Sequence, residues 1–186
     1  MEKHFVGYWN RSVILTYGEL LSAVTGICLA AEGKIRAAAL CLILCGICDM
    51  FDGKIARATK RSEDAMMFGI QIDSLCDLVS FGVLPSVIGH GCGLRGGWTV
   101  LLAFYTLAAL IRLGYFNVSE QKRQQSTREN RQYFEGLPVT TAAAAVPLVL
   151  LLRTLLGAAF AKVYAALLAG MGFLFIWRFR VRKIQL

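Results

Sequence analysis

Long apolar stretches alternate along the chain with short polar ones. Read for runs of spanning length, this pattern predicts six helices at about residues 12–31, 36–58, 64–90, 97–117, 137–156 and 159–177. The hydrocarbon core of a bilayer asks for about 20 apolar residues per helix, so each run suits a membrane crossing. Connections are short except 118–136, a polar and basic stretch expected to lie in water. Residues 1–11 form an amphipathic N-terminal segment, and no internal repeat or second domain stands out. The expectation is an all-α, polytopic membrane protein with six transmembrane helices, residues 1–186 forming one integral membrane domain.

Composition agrees with the pattern. The chain is 56% hydrophobic, where soluble domains sit at about 45–50%. The first apolar run is of spanning length and similar runs follow it, so it reads as an anchored first helix rather than a cleavable signal. Six cysteines, Cys28, Cys41, Cys45, Cys48, Cys76 and Cys92, fall mostly inside apolar runs. Cys41, Cys45 and Cys48 share a helix face. No histidine stands nearby to complete a zinc set, so these cysteines read as small packing residues.

The net charge of +8 raises nucleic acid as a partner, and the placing of the cations argues against it. They lie in short segments between apolar runs, and Arg178, Arg180, Arg182 and Lys183 follow the last run directly. This suits an anionic leaflet. With the N-terminus in the cytoplasm, 14 Lys and Arg fall on the cytoplasmic side and five on the other, Arg112 lying within the fourth helix. The bias predicts that both termini are cytoplasmic.

Four acids break the apolar pattern: Asp49 and Asp52 in the second helix, Asp73 and Asp77 in the third. A carboxylate inside a membrane costs several kcal/mol, about 2.5 or more on insertion scales. Spacings of three and four put each pair on one helix face, and the short loop from Thr59 to Glu63 makes the two helices antiparallel neighbours. Two facing acid pairs suit hard divalent cations, which prefer oxygen ligands. Gly53, Ala56 and Gly69 are small and stand near these acids, letting a ligand approach the backbone closely. Arg57 carries a fork-shaped cation fit for a phosphate. Together these residues suggest a diphosphate held by metal ions. Intramembrane acids also serve proton relays and ion pathways, so a transporter is the competing reading of the acids alone.

The stretch Asp49-Met-Phe-Asp52-Gly53-Lys-Ile-Ala56-Arg57, continued by Gly69-Ile-Gln-Ile-Asp73-Ser-Leu-Cys-Asp77, resembles the signature of the CDP-alcohol phosphotransferase family, D-x2-D-G-x2-A-R then G-x3-D-x3-D. All eight fixed residues are present. The spacer departs from the pattern, with eleven residues between Arg57 and Gly69 where the family usually has eight. The resemblance implies a six-helix bundle, commonly a homodimer, in the cell membrane with its active site open to the cytoplasm. It implies that Asp49, Asp52 and Asp73 bind two divalent ions, Mg or Mn, and that Asp77 contacts metal and acts as the catalytic base. Gly53, Ala56 and Arg57, with Gly69, would form the CDP-binding part.

Further segments are similar to those of the bacterial membrane-type phosphatidylserine synthases within that family. They are Leu78-Val79-Ser80-Phe81-Gly82-Val83-Leu84-Pro85, Ile111-Arg112-Leu113-Gly114-Tyr115-Phe116-Asn117 and Phe134-Glu135-Gly136-Leu137-Pro138. Leu84 replaces a small residue, and Gly114-Tyr115 replaces Ala-Arg. The resemblance implies transfer of a phosphatidyl group from CDP-diacylglycerol to the hydroxyl of serine. A sister reaction on glycerol phosphate or inositol phosphate is the alternative. Arg112 is a candidate for the acceptor's carboxylate, and Asn117 a candidate hydrogen-bonding group. An ion pair to an aspartate or a helix-end carbonyl would also explain Arg112, and a helix cap would explain Asn117. His4 and His90 receive no role.

Overall fold

The structure, a computed structural model, describes residues 7–8, 11–58, 62–126 and 133–182, leaving out the side chains of 11–12, 53–58, 123–126, 133–135 and 180–182. Six long helices follow in chain order: α1 (Arg11–Ala31), α2 (Ile35–Ala58), α3 (Glu63–Gly91), α4 (Thr99–Ser126), α5 (Val139–Leu151) and α6 (Arg153–Ile176). Among the described residues the fold is all-α apart from two three-residue strands, β1 (Tyr133–Glu135) and β2 (Arg180–Arg182), paired antiparallel with Phe134 opposite Val181. Four stretches of the described residues are long and apolar enough to cross a membrane by length and composition: Val13–Ala31, Glu63–Gly91, Gly96–Lys122 and Arg153–Ile176. Leucines 21, 40, 148, 151 and 155 stand exposed on the outside, as lipid contact requires. The chain is a multi-pass membrane protein.

α1 and α2 form the tightest pair. α1 stops at a glycine in the left-handed region, Gly33 with φ 79°, and Lys34 N donates to Leu29 O at 2.8 Å. This closes the helix end in the manner of a Schellman turn and sends α2 back antiparallel. The buried stripe of α1 is Thr16, Glu19, Ala23, Gly26 and Ala30, and that of α2 is Ile35, Ala38, Leu42, Cys45 and then Asp52. Both stripes step by three and four residues, the spacing of a helix seam. Small residues let the backbones approach closely. A Cβ added at Gly26 would sit 2.9 Å from Cys41 Cβ, and one at Gly46 would sit 2.5 Å from Ala143 Cβ on α5. Ser22 Oγ accordingly reaches Cys41 O across the seam at 3.1 Å.

α3 begins with Ser62 as its cap, whose Oγ accepts from Ala65 N at 3.3 Å, followed by Glu63 and Asp64 in the first turn. Both features favour a helix N-terminus. Its middle widens into a π-helical stretch, Leu78–Val83, before regular helix resumes at Leu84. Pro85 has no N–H to close the ladder onto the turn before it. Side chains from neighbouring helices take up the carbonyls here: Tyr105 Oη donates to Phe81 O at 2.8 Å, Thr106 Oγ1 to Gly82 O at 3.2 Å and Tyr164 Oη to Pro85 O at 2.9 Å.

Two expectations need correction. α4 does not end near residue 117 but runs to Ser126, so the first part of the expected 118–136 loop is helix. Gln, Lys and Arg are good helix formers, and their polarity marks departure from the apolar layer rather than the helix end. The expected fifth helix at 137–156 opens with a 3-10 turn at Val139–Thr141 and ends at Leu151. A short turn, Arg153–Leu156, then leads through Gly157, with φ 49°, into a regular helix from Phe160 to Ile176.

Candidate active site and metal centre

The acids lie where the α1–α2 seam meets α3. Asp49 and Asp52 continue the stripe of Ile35, Ala38, Leu42 and Cys45 in steps of three and four, so the register that packs the apolar end also aims these carboxylates inward. Asp73 faces them from α3. One oxygen from each of Asp49, Asp52 and Asp73 lies within 4.8 Å of the others. Asp52 is buried and accepts a hydrogen bond from Thr16 Oγ1 at 3.3 Å. Carboxylates this close repel by about 3 kcal/mol per pair at an effective dielectric of about 20. A divalent cation removes that repulsion and supplies what oxygen-rich sites select for.

Asp77 stands one turn further along α3, at the last residue before the π-helical stretch. It is 7% exposed, and its Oδ1 is enclosed with no hydrogen-bond partner among the described residues. It does not belong to the group of oxygens within 4.8 Å. Gly69 is half-buried on α3, one turn before Asp73. Gly53, Ala56 and Arg57 follow Asp52 in the last turns of α2, where the helix backbone is described and the side chains lie outside the described residues. Lys60 and Arg61, part of the long spacer, also lie outside them.

Arg112 is buried in α4. Its Nε donates to Leu137 O at 3.3 Å, and its guanidinium carbon lies 5.7 Å from the centre of the Phe116 ring. Gly136, with φ 77°, turns the chain just before Leu137, and a Cβ there would meet Phe175 O and Trp177 O at 3.2 Å. Arg112 also lines a cleft of about 150 Å³ with Tyr115, Trp177 and Arg178. Asn117 does not cap a helix end, because α4 continues for two more turns. Its Oδ1 accepts a 2.8 Å hydrogen bond from Ser74 Oγ, which ties α4 to α3 beside Asp73.

Sequence reasoning missed two residues of α1. Thr16 and Glu19 stand three apart on the buried stripe, and Glu19 is fully buried. The signal was present: Thr16, Glu19 and Ser22 recur at steps of three within an otherwise apolar run, which puts them on one face.

Fold and site together define a multi-pass membrane protein with a buried carboxylate centre between its first three helices. Residues 9–177 match the model of the CDP-alcohol phosphatidyltransferase family, and the chain belongs to that family. The chain is 43% identical over 107 residues to the CDP-diacylglycerol–serine O-phosphatidyltransferase of Saccharomyces cerevisiae, covering 56% of this chain and 38% of that one. It is 32% identical over 147 residues to the protein of the same name from Mycobacterium leprae, covering 77% of this chain and 47% of that one. It is 31% identical over 132 residues to the archaetidylserine synthase of Methanothermobacter thermautotrophicus, covering 68% of this chain and 53% of that one. The chain thus spans about half the length, or less, of these curated relatives.

Proposed function

We propose that this chain transfers a phosphatidyl group from CDP-diacylglycerol to the hydroxyl of L-serine, giving phosphatidylserine and CMP. The carrying observation is the convergence of Asp49, Asp52 and Asp73 within 4.8 Å where α1, α2 and α3 meet. The names of the relatives supply the substrates: two are serine phosphatidyltransferases and the third is an archaetidylserine synthase.

Asp49, Asp52 and Asp73 hold the divalent metal, which we take to be two ions of Mg or Mn, with Asp77 as a further ligand. The donor set is all oxygen, and the buried, unpartnered Oδ1 of Asp77 adds one more acceptor at its edge. When bound, such ions neutralise the diphosphate and stabilise charge on the departing CMP. Gly53 and Ala56 leave the backbone open to the CDP part, Arg57 binds phosphate, and Gly69 keeps α3 close. Asp77 takes the proton from the serine hydroxyl. The serine oxygen then forms a bond to the phosphorus bearing the diacylglycerol, and the bond from that phosphorus to the CMP oxygen breaks. Arg112, in its cleft beside Trp177, receives the serine carboxylate, and Asn117 holds Ser74 next to Asp73. The six helices form one domain in the cell membrane, working as a homodimer, with both termini and the site facing the cytoplasm.

The test is release of CMP by the purified protein from CDP-diacylglycerol in detergent with Mn or Mg, against a panel of alcohols. Release with serine alone is expected. Release only with glycerol phosphate or inositol phosphate would replace the acceptor, and no metal-dependent release with any alcohol would remove the transferase reading.

A further inference from the structure

Four buried side-chain polar atoms lack a hydrogen-bond partner among the described residues: both carboxyl oxygens of Glu19, Oδ1 of Asp77 and Oγ of Ser80. Buried polar groups are almost always bonded, so each exception calls for an explanation. Here the exceptions belong to one neighbourhood. The Ser80 hydroxyl is a hydrogen-bonding neighbour of the Glu19 carboxyl but outside good bonding geometry. The other groups acting on that carboxyl, Asp49, Asp73 and Asp52, are acids rather than cations, and Glu19 acts in turn on Asp77. The backbone fixes its place as well. Cys45 Sγ donates to Glu19 O at 3.5 Å, and Cys45 stands one turn before Asp49. Thr16, one turn before Glu19, bonds Asp52. Glu19 therefore sits just below the aspartates, on the side facing the interior of the bundle.

We propose that Glu19 is a fifth carboxylate of the metal centre, closing its inner side beside Ser80. This rests on the metal reading of the aspartates and extends it to α1. A residue that merely filled this space would be apolar, since a carboxyl buried without a partner is costly in a membrane protein. A divalent cation above it gives its oxygens the partner that the protein withholds. Hard divalent ions accept carboxylate oxygens beside those of water and phosphate. Glu19 adds oxygens from the side opposite the substrate, where they do not compete with the diphosphate.

The experiment is Mn titration of the purified protein in detergent. Free Mn is followed by its paramagnetic resonance signal, and the metal-induced rise in melting temperature is read in parallel. Glu19→Gln keeps the shape and removes the charge; Glu19→Leu removes the polar group; Asp73→Asn serves as the control. We expect Glu19→Gln to weaken Mn binding by about 10- to 100-fold and to shrink the metal-induced melting shift, with the metal-free melting temperature held or raised. Glu19→Asp should recover part of the affinity, which a packing role alone would not predict. If Glu19→Gln binds Mn as the parent does while Asp73→Asn does not, the Glu19 assignment is wrong and the aspartate site stands. If the parent takes up no Mn at all, the metal reading falls and this inference falls with it.

Discussion

The two halves of α3 treat buried polarity in opposite ways. From Phe81 onward, the loosened carbonyls of the π-helical stretch and the turn after it are taken up by Tyr105, Thr106 and Tyr164, side chains of α4 and α6. Ser86 in the same half reaches Gly82 O and Leu102 O, each at 3.2 Å. From Asp73 to Ser80 only Ser74 turns to α4, where it bonds Asn117; Asp73 faces the α2 carboxylates, and Asp77 Oδ1 and Ser80 Oγ are left unbonded along with Glu19. One half is a closed structural joint, since its polar groups satisfy one another. The other half is left open toward something outside the chain. The contrast separates residues kept for the fold from residues kept for a ligand, and mutations should divide along it.

The largest effect is expected in the open half. Asp77→Asn removes the proposed proton acceptor and should lower CMP release by about 10²- to 10⁴-fold, with the melting temperature of the metal-free protein unchanged or raised. The assay is turnover at saturating CDP-diacylglycerol and serine, beside a thermal melt in the same detergent. Retained turnover would break the comparison at its centre by making Asp77 a structural residue. Next in size is Gly46→Val, which forces a side chain into Ala143 where α2 meets α5. Overpacking of this kind costs about 1–3 kcal/mol, and the expected result is a lower melting temperature with activity lost in proportion to unfolding. An unchanged melt would mean that the α2–α5 crossing gives way easily.

How far the open half was legible depended on whether its signal was local. Asp49, Asp52, Asp73 and Asp77 announced themselves because each interrupts an apolar run and each pair fits a helical face. The ends of α1, α2 and α3 fell within a residue of expectation for the same reason. Glu19 is just as polar and more deeply buried, yet it is the one acid of its apolar run and has no second acid on its own helix to pair with. Its significance comes from α2 and α3, which meet it at Cys45 and Ser80, and that meeting is tertiary. The far end of α4 was missed because the residues after Asn117 are polar. Hydropathy reports where a helix leaves the apolar layer and is silent on where its backbone hydrogen bonds stop. The end of α5 at Leu151 was missed because leucines continue the apolar composition past it to Leu156, whereas the break at Gly157 fell between the two expected helices. Arg112 was flagged as an intramembrane cation, but its carbonyl partner at Leu137 follows the turn at Gly136, whose positive φ a sequence pattern does not report.

Smaller changes test the closed half. Tyr164→Phe deletes the hydroxyl that satisfies Pro85 O and leaves that carbonyl buried without a donor. The expected loss is about 1–2 kcal/mol of stability, read by unfolding in mixed detergent, with CMP release per folded molecule unchanged. A fall in specific activity without a fall in stability would show that the joint reaches the site and that the two halves are coupled.

The smallest effect, and the most discriminating, is expected at the border. Asn117 is on α4 and accepts from Ser74 on α3, next to Asp73. Asn117→Ala removes one partly buried hydrogen bond, worth about 0.5–1.5 kcal/mol. If the bond belongs to the closed half, that loss appears in the melt alone. If it steadies Asp73, the melt changes little and a higher Mn concentration is needed for half-maximal activity. Measuring both on the same preparation decides which side of the boundary the Ser74–Asn117 bond lies on. The sharper expectation is the second, because the bond joins α3 one residue from a proposed metal ligand and far along the chain from the tyrosines that lock the other half.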